Sequence, residues 1–202
     1  MSSMARKRLP AAARRETIID AATSAFVTDG YDGTRVARIA ERVGVTEPVI
    51  FQNFGTKADL FAAVLDRASI TDAEQLSGAD DEGDVLELMA RMLAPAVHDQ
   101  LHTSGGLGVL YAEADGRSEP CIRDAFQRAL GRGVEAFAAI LGRGQREGSV
   151  RADVEATTLA WLVVSLIRAR EFRRVHTTQP FDALEEQMLA AELDVLRPSD
   201  AA

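Results

Sequence analysis

The feature that most constrains the fold is a helical spacing of apolar residues that glycines interrupt. In TRVARIAERVGVTEPVIFQNFGTK, residues 34–57, apolar residues recur at intervals of three and four, as they do along one face of a helix. Gly44 and Gly55 follow the two patterns, and glycine readily adopts the left-handed conformation that ends a helix. The segment therefore predicts two short helices joined by a tight turn.

The residues around these two patterns fit helix starts and packed inner faces. Thr34 and Thr46 precede the patterns and are predicted N-caps. Pro48 falls in a first turn, where its missing N–H costs nothing. Ile50 and Phe54 are four residues apart and are predicted to pack inward. The outward positions of this helix are then Glu47, Val49, Gln52 and Asn53.

Helical spacing continues through the rest of the chain. A first helix is predicted over residues 14–28, ended by Gly30 and Gly33, and a fourth begins near Thr56. After a polar break at 77–84, further helices are predicted around residues 86–93, 107–111, 122–141, 153–175 and 181–196. No strand-like alternation of any length accompanies them. The predicted fold class is all-α, with an N-terminal three-helix helix-turn-helix domain followed by a larger helical domain.

Charge is divided unevenly along the 202 residues, although the net charge is -8. Residues 1–60 hold nine Lys/Arg and seven Asp/Glu, whereas the remainder holds 14 and 24. Such asymmetry favours contact with a polyanion at one end only. We predict a disordered basic segment over residues 1–13, a domain over 14–60 that contacts the polyanion and a larger helical domain over 61–202. The basic segment fits a DNA contact and a solubilising tail equally well.

The cysteine count and the lengths of the apolar segments also indicate the cellular compartment. Cys121 is the only cysteine, so no intrachain disulfide can form and a reducing environment is expected. No apolar segment of signal-peptide length follows the basic N-terminus, and the longest apolar run, at 159–164, is too short to span a bilayer. These observations predict a cytoplasmic protein with no membrane partner.

Twelve residues occur in an order and spacing that are specific to one family. They are Thr34, Val36, Ile39, Ala40, Gly44, Val45, Thr46, Ile50, Phe51, Phe54, Lys57 and Leu60. With them, residues 14–66 resemble the DNA-binding region of TetR-family transcriptional regulators. The resemblance implies a homodimeric repressor that leaves a palindromic DNA operator when its larger domain binds a small effector. It makes residues 61–202 the effector-binding and dimerisation domain. An enzyme is a third possibility for the chain, but the sequence offers no constellation of catalytic residues, so no enzymatic activity and no cofactor are predicted.

The residue types of the third helix suit the reading of bases more than the binding of DNA through positive charge. Gln and Asn can each hold adenine with two hydrogen bonds, and an apolar group can contact a thymine methyl. The helix has no Lys or Arg, so it cannot use arginine to read guanine. The resemblance places phosphate contacts on Thr34, Arg35, Thr56 and Lys57, and the chain departs from it at Phe51, where Tyr is usual. The predicted DNA contacts are Thr34, Arg35, Thr46, Glu47, Pro48, Val49, Phe51, Gln52, Asn53, Thr56 and Lys57.

Two further sets of residues are predicted in the larger domain. The resemblance implies that Met and aromatic positions line a pocket for a small apolar effector, although plain core is the more common role of such residues. The pocket set is Met89, Met92, Leu93, Leu110, Phe126, Phe137 and Trp161. A coiled-coil-like seam predicts a four-helix interface between two subunits that buries ~1,200–2,000 Å². The interface set is Leu162, Leu166, Phe181, Leu184, Met188, Ala191 and Val195.

Several other patterns favour ordinary structural roles. His98 and His102 share a helical face but lack a third ligand at fixed spacing, so no metal site is predicted. The glycine-rich 142–148 lacks the features of a phosphate loop and is interpreted as a helix end. Cys121 follows Pro120 at a helix start, so it is either an acidic thiol or a buried, incidental one. The competing hypothesis for the whole chain is a ligand-binding or scaffolding helical dimer with lost or weak DNA binding.

Overall fold

A computed structural model of the protein describes residues 10–78, 83–97 and 107–198. These residues form helices and contain no strand, which confirms the all-α fold class. The helices are α1 (Ala11–Gly33), α2 (Val36–Val43), α3 (Glu47–Phe54), α4 (Lys57–Ser77), α5 (Val85–Leu93), α6 (Leu107–Ala114), α7 (Pro120–Glu147), α8 (Ala156–Arg168), α9 (Arg170–His176) and α10 (Phe181–Leu196).

Three helix boundaries differ from the predicted ones. Helix α1 begins at Ala11, earlier than expected, and Gly30 interrupts its path with φ 70° and ψ 172°. Helix α7 extends beyond the predicted range 122–141 at both ends, from Pro120 to Glu147, and Gly148, whose φ is 83°, follows it. The single helix expected over 153–175 is instead two, α8 and α9, which meet at Ala169.

The chain divides into two compact units. The first comprises Met1–Arg67 together with Gly108–Phe126, so a segment far along the sequence belongs with the N-terminal helices. Its core contains a cluster of three rings, in which the Phe61 centroid lies 4.9 Å from that of Phe26 and 5.1 Å from that of Tyr31. The boundaries predicted after residues 13 and 60 stay a prediction.

The second unit comprises Ala68–Leu107 and Gln127–Ala202. Its apolar core is built by helices α5, α7, α8 and α10, whose most deeply buried members are Val85, Met89, Leu141, Ala160, Val163 and Leu196. In α8, Leu159, Ala160, Val163 and Val164 are buried, whereas Trp161, Leu162 and Ser165 are exposed. One face of this helix is therefore packed within the unit and the other faces solvent.

Some predicted features fall outside the described residues. The basic residues at 1–9 and both His98 and His102 are among them. Across the described segments, no group of three or more His, Cys, Asp or Glu side chains could hold a metal ion. None of the helices in those segments is long and apolar enough to cross a membrane.

Candidate nucleic-acid interface

Helices α2 and α3 form a tight pair that packs against α1. Gly44 adopts the left-handed conformation, with φ 72° and ψ 34°, and its N–H donates to the carbonyl oxygens of Ala40 and Glu41. Ile39 and Ile50 are buried between the helices, so the inner faces are apolar as predicted. The turn and the packed inner face fix the direction of α3, which is how a bracing helix supports a recognition helix.

The start and the end of α3 also follow the predicted signals. Thr46 occupies the N-cap position without a side-chain capping bond, and Pro48 lies in the first turn. Gly55 ends the helix at φ 84°. Phe51 and Gln52 are exposed together with Pro48 at three- and four-residue spacing, so these three residues define the outer face of α3.

That outer face differs from the predicted one. Glu47, Val49 and Asn53 are half-buried, and of the four residues expected to face outward only Gln52 is exposed. The side-chain amide of Asn53 donates to the Val49 carbonyl oxygen at 2.6 Å, so this donor is used within the helix. Gln52 is therefore the amide on α3 that is best placed to meet another molecule.

Arg15 supports α3 in a way that the sequence did not indicate. Its guanidinium donates to the Asn53 carbonyl oxygen at 2.7 Å and lies 4.1 Å from the centroid of the Phe54 ring. A cation at a helix C-terminus satisfies a free carbonyl and complements the helix dipole. No local pattern pairs residues that are 38 positions apart, so only the packing of α1 on α3 reveals the contact.

The prediction that Thr34 caps α2 is wrong. Arg35 occupies the N-cap position, without a side-chain capping bond. Thr34 is buried, and its hydroxyl donates to the carbonyl oxygen of Gly30 at 2.6 Å and to that of Ala25 at 3.2 Å. The hydroxyl thus joins the carbonyl groups on both sides of the Gly30 break in α1, and the Thr34 N–H also donates to the Gly30 carbonyl oxygen at 3.2 Å. Arg35, by contrast, is exposed.

The start of α4 carries a reciprocal cap. Asp59 accepts from the Thr56 N–H at 3.0 Å and from the Thr56 hydroxyl at 2.6 Å, while its own N–H donates to that hydroxyl at 3.1 Å. The hydrogen bond from the Thr56 side chain lowers the pKa of Asp59. An anion therefore already occupies part of the helix terminus where the sequence predicted a phosphate contact by Thr56.

Lys57 is half-buried beside Tyr31 and Asp32. Its ammonium group donates to the Asp32 carbonyl oxygen at 3.4 Å and lies 4.8 Å from the Tyr31 ring centroid. Burial lowers the pKa of Lys57, the charge of Asp32 opposes this effect, and that of Arg117 adds to it. Lys57 thus interacts with charges of both signs within the first unit.

Cys121 lies in the same unit, at the start of α7. Its thiol is partly buried, and burial, the negative charge of Asp59 and a hydrogen bond with that carboxylate all raise its pKa. The raised pKa contradicts the hypothesis of an acidic thiol at a helix start. The alternative of an incidental, partly buried cysteine agrees with this environment.

The residues predicted to line an effector pocket divide between the two units. Met89 and Phe137 are buried in the core of the second unit, with Met92 and Leu93 partly buried against it. Leu110 and Phe126 belong to the first unit. Trp161 is 49% exposed on the solvent face of α8, so the core of this unit does not enclose it. Sequence alone missed this exposure because α8 is apolar on nearly every side.

The residues predicted to form a subunit interface all retain accessible surface. Leu162, Ala191 and Val195 are exposed, and Leu166, Phe181, Leu184 and Met188 are partly buried. Two further apolar side chains on α9 are more accessible, since Phe172 is 67% and Val175 is 73% exposed. Together, the exposed apolar residues on α8, α9 and α10 form what we term the apolar stripe: Trp161, Leu162, Phe172, Val175 and Val195.

Comparison with known proteins agrees with this architecture. Residues 18–64 match the family model described as "Bacterial regulatory proteins, tetR family". The chain is 31% identical over 199 residues to the HTH-type transcriptional regulator TtgR of Pseudomonas putida, covering 93% of each chain. It is 31% identical over 150 residues to the HTH-type transcriptional repressor AcnR of Corynebacterium diphtheriae, covering 72% of this chain and 73% of that relative.

A solved structure shows the same fold over nearly the whole length. The transcriptional regulator FadR from Bacillus subtilis, in complex with stearoyl-CoA, superposes with a TM-score of 0.70 at 18% identity. The match covers 90% of this chain and 99% of that one. From the helix-turn-helix geometry and the two relatives matched over most of their lengths, we conclude that this chain belongs to the TetR family and is a DNA-binding transcriptional regulator.

Proposed function

We propose that the protein is a cytoplasmic, homodimeric repressor that binds a palindromic operator and leaves it when a small apolar effector binds. The observation that carries the proposal is the outer face of α3. Helix α3 is held by apolar packing on its inner side and by Arg15 at its C-terminal end. Its outer face exposes Gln52 to solvent. A rigid helix with an exposed amide suits the reading of base edges in a major groove.

Base reading and phosphate binding are assigned to different residues. Gln52 is proposed to read a base, with Pro48, Val49 and Phe51 providing apolar contact beside it. Lys57 and Arg35 are proposed to hold phosphates, with the exposed Thr46 and Thr56 at helix starts, where anions are favoured. Thr34 is left out because its hydroxyl already donates to two carbonyl oxygens. Glu47 and Asn53 flank the outer face and are proposed as secondary contacts.

The apolar stripe supports the proposed homodimer. The stripe exposes five apolar side chains on three successive helices, and exposed apolar patches on a monomer mark interaction sites. Two-fold symmetry would bring the stripe onto its own copy, since this type of interface uses the same patch on both subunits. The two copies of α3 would then have to enter major grooves about 34 Å apart, which is one helical turn of DNA.

The effector is proposed to bind in the second unit. Its core is apolar and contains Met89, and Met92 packs against that core. The flexible side chains of both methionines can adjust to a guest. The fold neighbour FadR was solved with stearoyl-CoA, a ligand with a long apolar chain. Any effector can shift DNA binding only by its differential affinity for the two conformations. We propose no metal, no cofactor and no catalytic activity.

The test is selection of bound duplexes from a random pool, followed by a screen for compounds that release the selected duplex. We expect a palindromic sequence and at least one apolar compound that raises the melting temperature and weakens DNA binding together. A compound that stabilises the fold but leaves the affinity for DNA unchanged would contradict the coupling. If wild-type protein enriches no duplex even at low salt, the competing hypothesis of a dimer with lost DNA binding is favoured.

A further inference from the structure

Tyr31 lies between two cationic groups in the first unit. The Tyr31 side chain is buried, and its ring centroid lies 4.8 Å from the Lys57 ammonium nitrogen and 4.4 Å from the guanidinium carbon of Arg117. Both distances are within the range of cation–π attraction. The DNA-binding unit thus contains a second cation, carried by the segment that follows α6, close to its proposed phosphate-binding lysine.

Asp32 contacts both of these cations, through different atoms. Its carboxylate accepts two hydrogen bonds from Arg117, at 3.0 and 2.9 Å, in the paired geometry that suits a guanidinium. The hydrogen bonds and charge of Arg117 lower the pKa of Asp32. The Asp32 side chain is 82% exposed, so this carboxylate stands at the surface rather than in the core. Lys57 contacts the carbonyl oxygen of the same residue but not its carboxylate.

Arg117 is held in place from a second direction. Its Nε donates to the Glu113 carbonyl oxygen at 3.0 Å, and the Glu113 carboxylate accepts from the Tyr31 N–H at 2.9 Å. Gly30 permits this approach, because a Cβ at that position would lie 3.0 Å from a Glu113 carboxylate oxygen. The end of α1 and the segment after α6 are therefore joined by hydrogen bonds that fix the guanidinium over Tyr31.

From this geometry we infer that Arg117 is a positioning residue for DNA binding, which holds the Asp32 carboxylate so that the Lys57 ammonium group can meet a DNA phosphate. The inference rests on the proposed role of Lys57. If Arg117 is removed, the exposed carboxylate of Asp32 has no guanidinium to neutralise it. The carbonyl oxygen of Asp32 already holds the Lys57 ammonium group close by. That carboxylate then pairs with Lys57 and repels the phosphate, so each subunit loses a cationic contact.

The test compares Arg117→Gln, Asp32→Asn and the double variant, using the selected duplex and a duplex of shuffled sequence. Binding is measured by fluorescence anisotropy from about 50 to about 200 mM salt. Arg117→Gln is expected to weaken binding to both duplexes roughly tenfold and to lower the salt slope by about one phosphate contact per subunit. The double variant is expected to return to within about twofold of wild type, because the unmasked charge is gone. Arg123→Gln, which removes an exposed arginine of the same unit, serves as the matched control.

The recovery of DNA binding in the double variant distinguishes a positioning role of Arg117 from a purely structural one. If Arg117 only ties two segments together, the double variant stays as weak as Arg117→Gln, since both lack the ion pair, and the inference is overturned. Melting temperatures identify a variant that fails to fold. In that case Arg117→Lys, which keeps the positive charge, is used in place of Arg117→Gln. It is expected to lose less than threefold in affinity for DNA. A loss of roughly tenfold overturns the inference. Failure of Lys57→Ala to weaken binding would instead refute the proposed phosphate contact, whatever Arg117 does.

Discussion

At the scale of single residues, two glutamates on the inner face of α10 experience opposite environments. Burial alone raises the pKa of Glu185, but the hydrogen bonds and charges of Arg173 and Arg170 outweigh it and lower the pKa. Arg173 donates at 2.7 Å and Arg170 at 2.9 Å. Glu192 is also buried, and one of its carboxylate oxygens has no hydrogen-bond partner among the described residues. Burial raises the pKa of Glu192 to about 7, with Arg173 opposing the shift and Glu185 adding to it.

This difference predicts how the free energy of unfolding depends on pH. The pKa of Glu192 rises from 4.5 to about 7 on folding, so the folded state binds the extra proton between these values. Stability is therefore lost as the pH rises through this window, by roughly 2–3 kcal/mol in total. Glu192→Gln should behave like wild type near about pH 4 and be more stable by this amount above about pH 8.

Urea unfolding at fixed protein concentration measures the effect, because the stability of the proposed dimer would depend on concentration. Glu186→Gln, an exposed change on the same helix, controls for net charge. A constant difference between Glu192→Gln and wild type across this pH range would show that Glu192 does not titrate as described.

Gln52 and Lys57 allow base reading and phosphate binding to be separated. Gln52 has a donor and an acceptor but no charge, whereas Lys57 is a point charge with no sequence information. Gln52→Ala should relax preference at one base pair of each half-site by ~1–3 kcal/mol and leave the salt slope unchanged. Lys57→Ala should weaken all duplexes about equally and reduce the slope by about one phosphate contact per subunit.

One titration series scores both variants, with the selected duplex and its single-base variants at several salt concentrations. Equal weakening of every duplex by Gln52→Ala would mean that α3 does not read bases through that side chain. An unchanged salt slope for Lys57→Ala would remove the phosphate contact from the proposal.

At the scale of helices, the close approach of α7 to its neighbours depends on Gly144. This glycine is buried, and a Cβ added there would lie 2.5 Å from a Val150 methyl group and 2.9 Å from the Val85 Cβ. At Gly133, in the same helix, an added Cβ would meet no described atom within 4 Å. Glycine thus allows close packing at position 144 but leaves open space at position 133.

Replacing each glycine by alanine should therefore change stability in opposite directions. Gly144→Ala is expected to destabilise by roughly 1–3 kcal/mol, because the overpacked contact outweighs the gain in helix propensity. Gly133→Ala is expected to stabilise by up to about 1 kcal/mol, since alanine favours the helix and meets no obstacle. Thermal unfolding followed by circular dichroism measures both. Stabilisation by Gly144→Ala would show that Val85 and Val150 can move aside at little cost.

At the scale of the whole molecule, the proposed homodimer depends on the apolar stripe. Leu162, a member of the stripe, is 36% exposed and was predicted from sequence to lie in the subunit interface. Leu162→Asp should weaken dimerisation by about 2 kcal/mol or more, because a symmetric interface buries the new charge twice. Ile70→Asp, on α4 and outside the predicted interface, removes an exposed apolar residue of comparable accessibility and should leave the dimer intact.

Sedimentation at micromolar concentration distinguishes these outcomes. Wild type and Ile70→Asp should sediment as dimers, and Leu162→Asp should shift toward monomer. A monomeric wild type would remove the dimer from the proposal, together with the expected palindrome.

The sequence by itself determined the fold class and the helix-turn-helix. Helical spacing is local, and so is the left-handed conformation that Gly44 supplies at the end of α2. The positions of Thr46, Pro48 and Gly55 in α3 could be predicted for the same reason, since each depends on residues within one turn.

Only the tertiary structure decided which side chains are free to act. In the tertiary structure Thr34 is buried, Asn53 is half-buried, and Phe51 and Gln52 are exposed. These differences depend on how α1 packs on α2 and how α2 packs on α3. Arg15 reaches a residue 38 positions away, and Arg117 reaches Asp32 across 85. Contacts at such separations leave no periodic signal in one sequence, since they depend on where whole helices come to lie and not on any single turn of the chain.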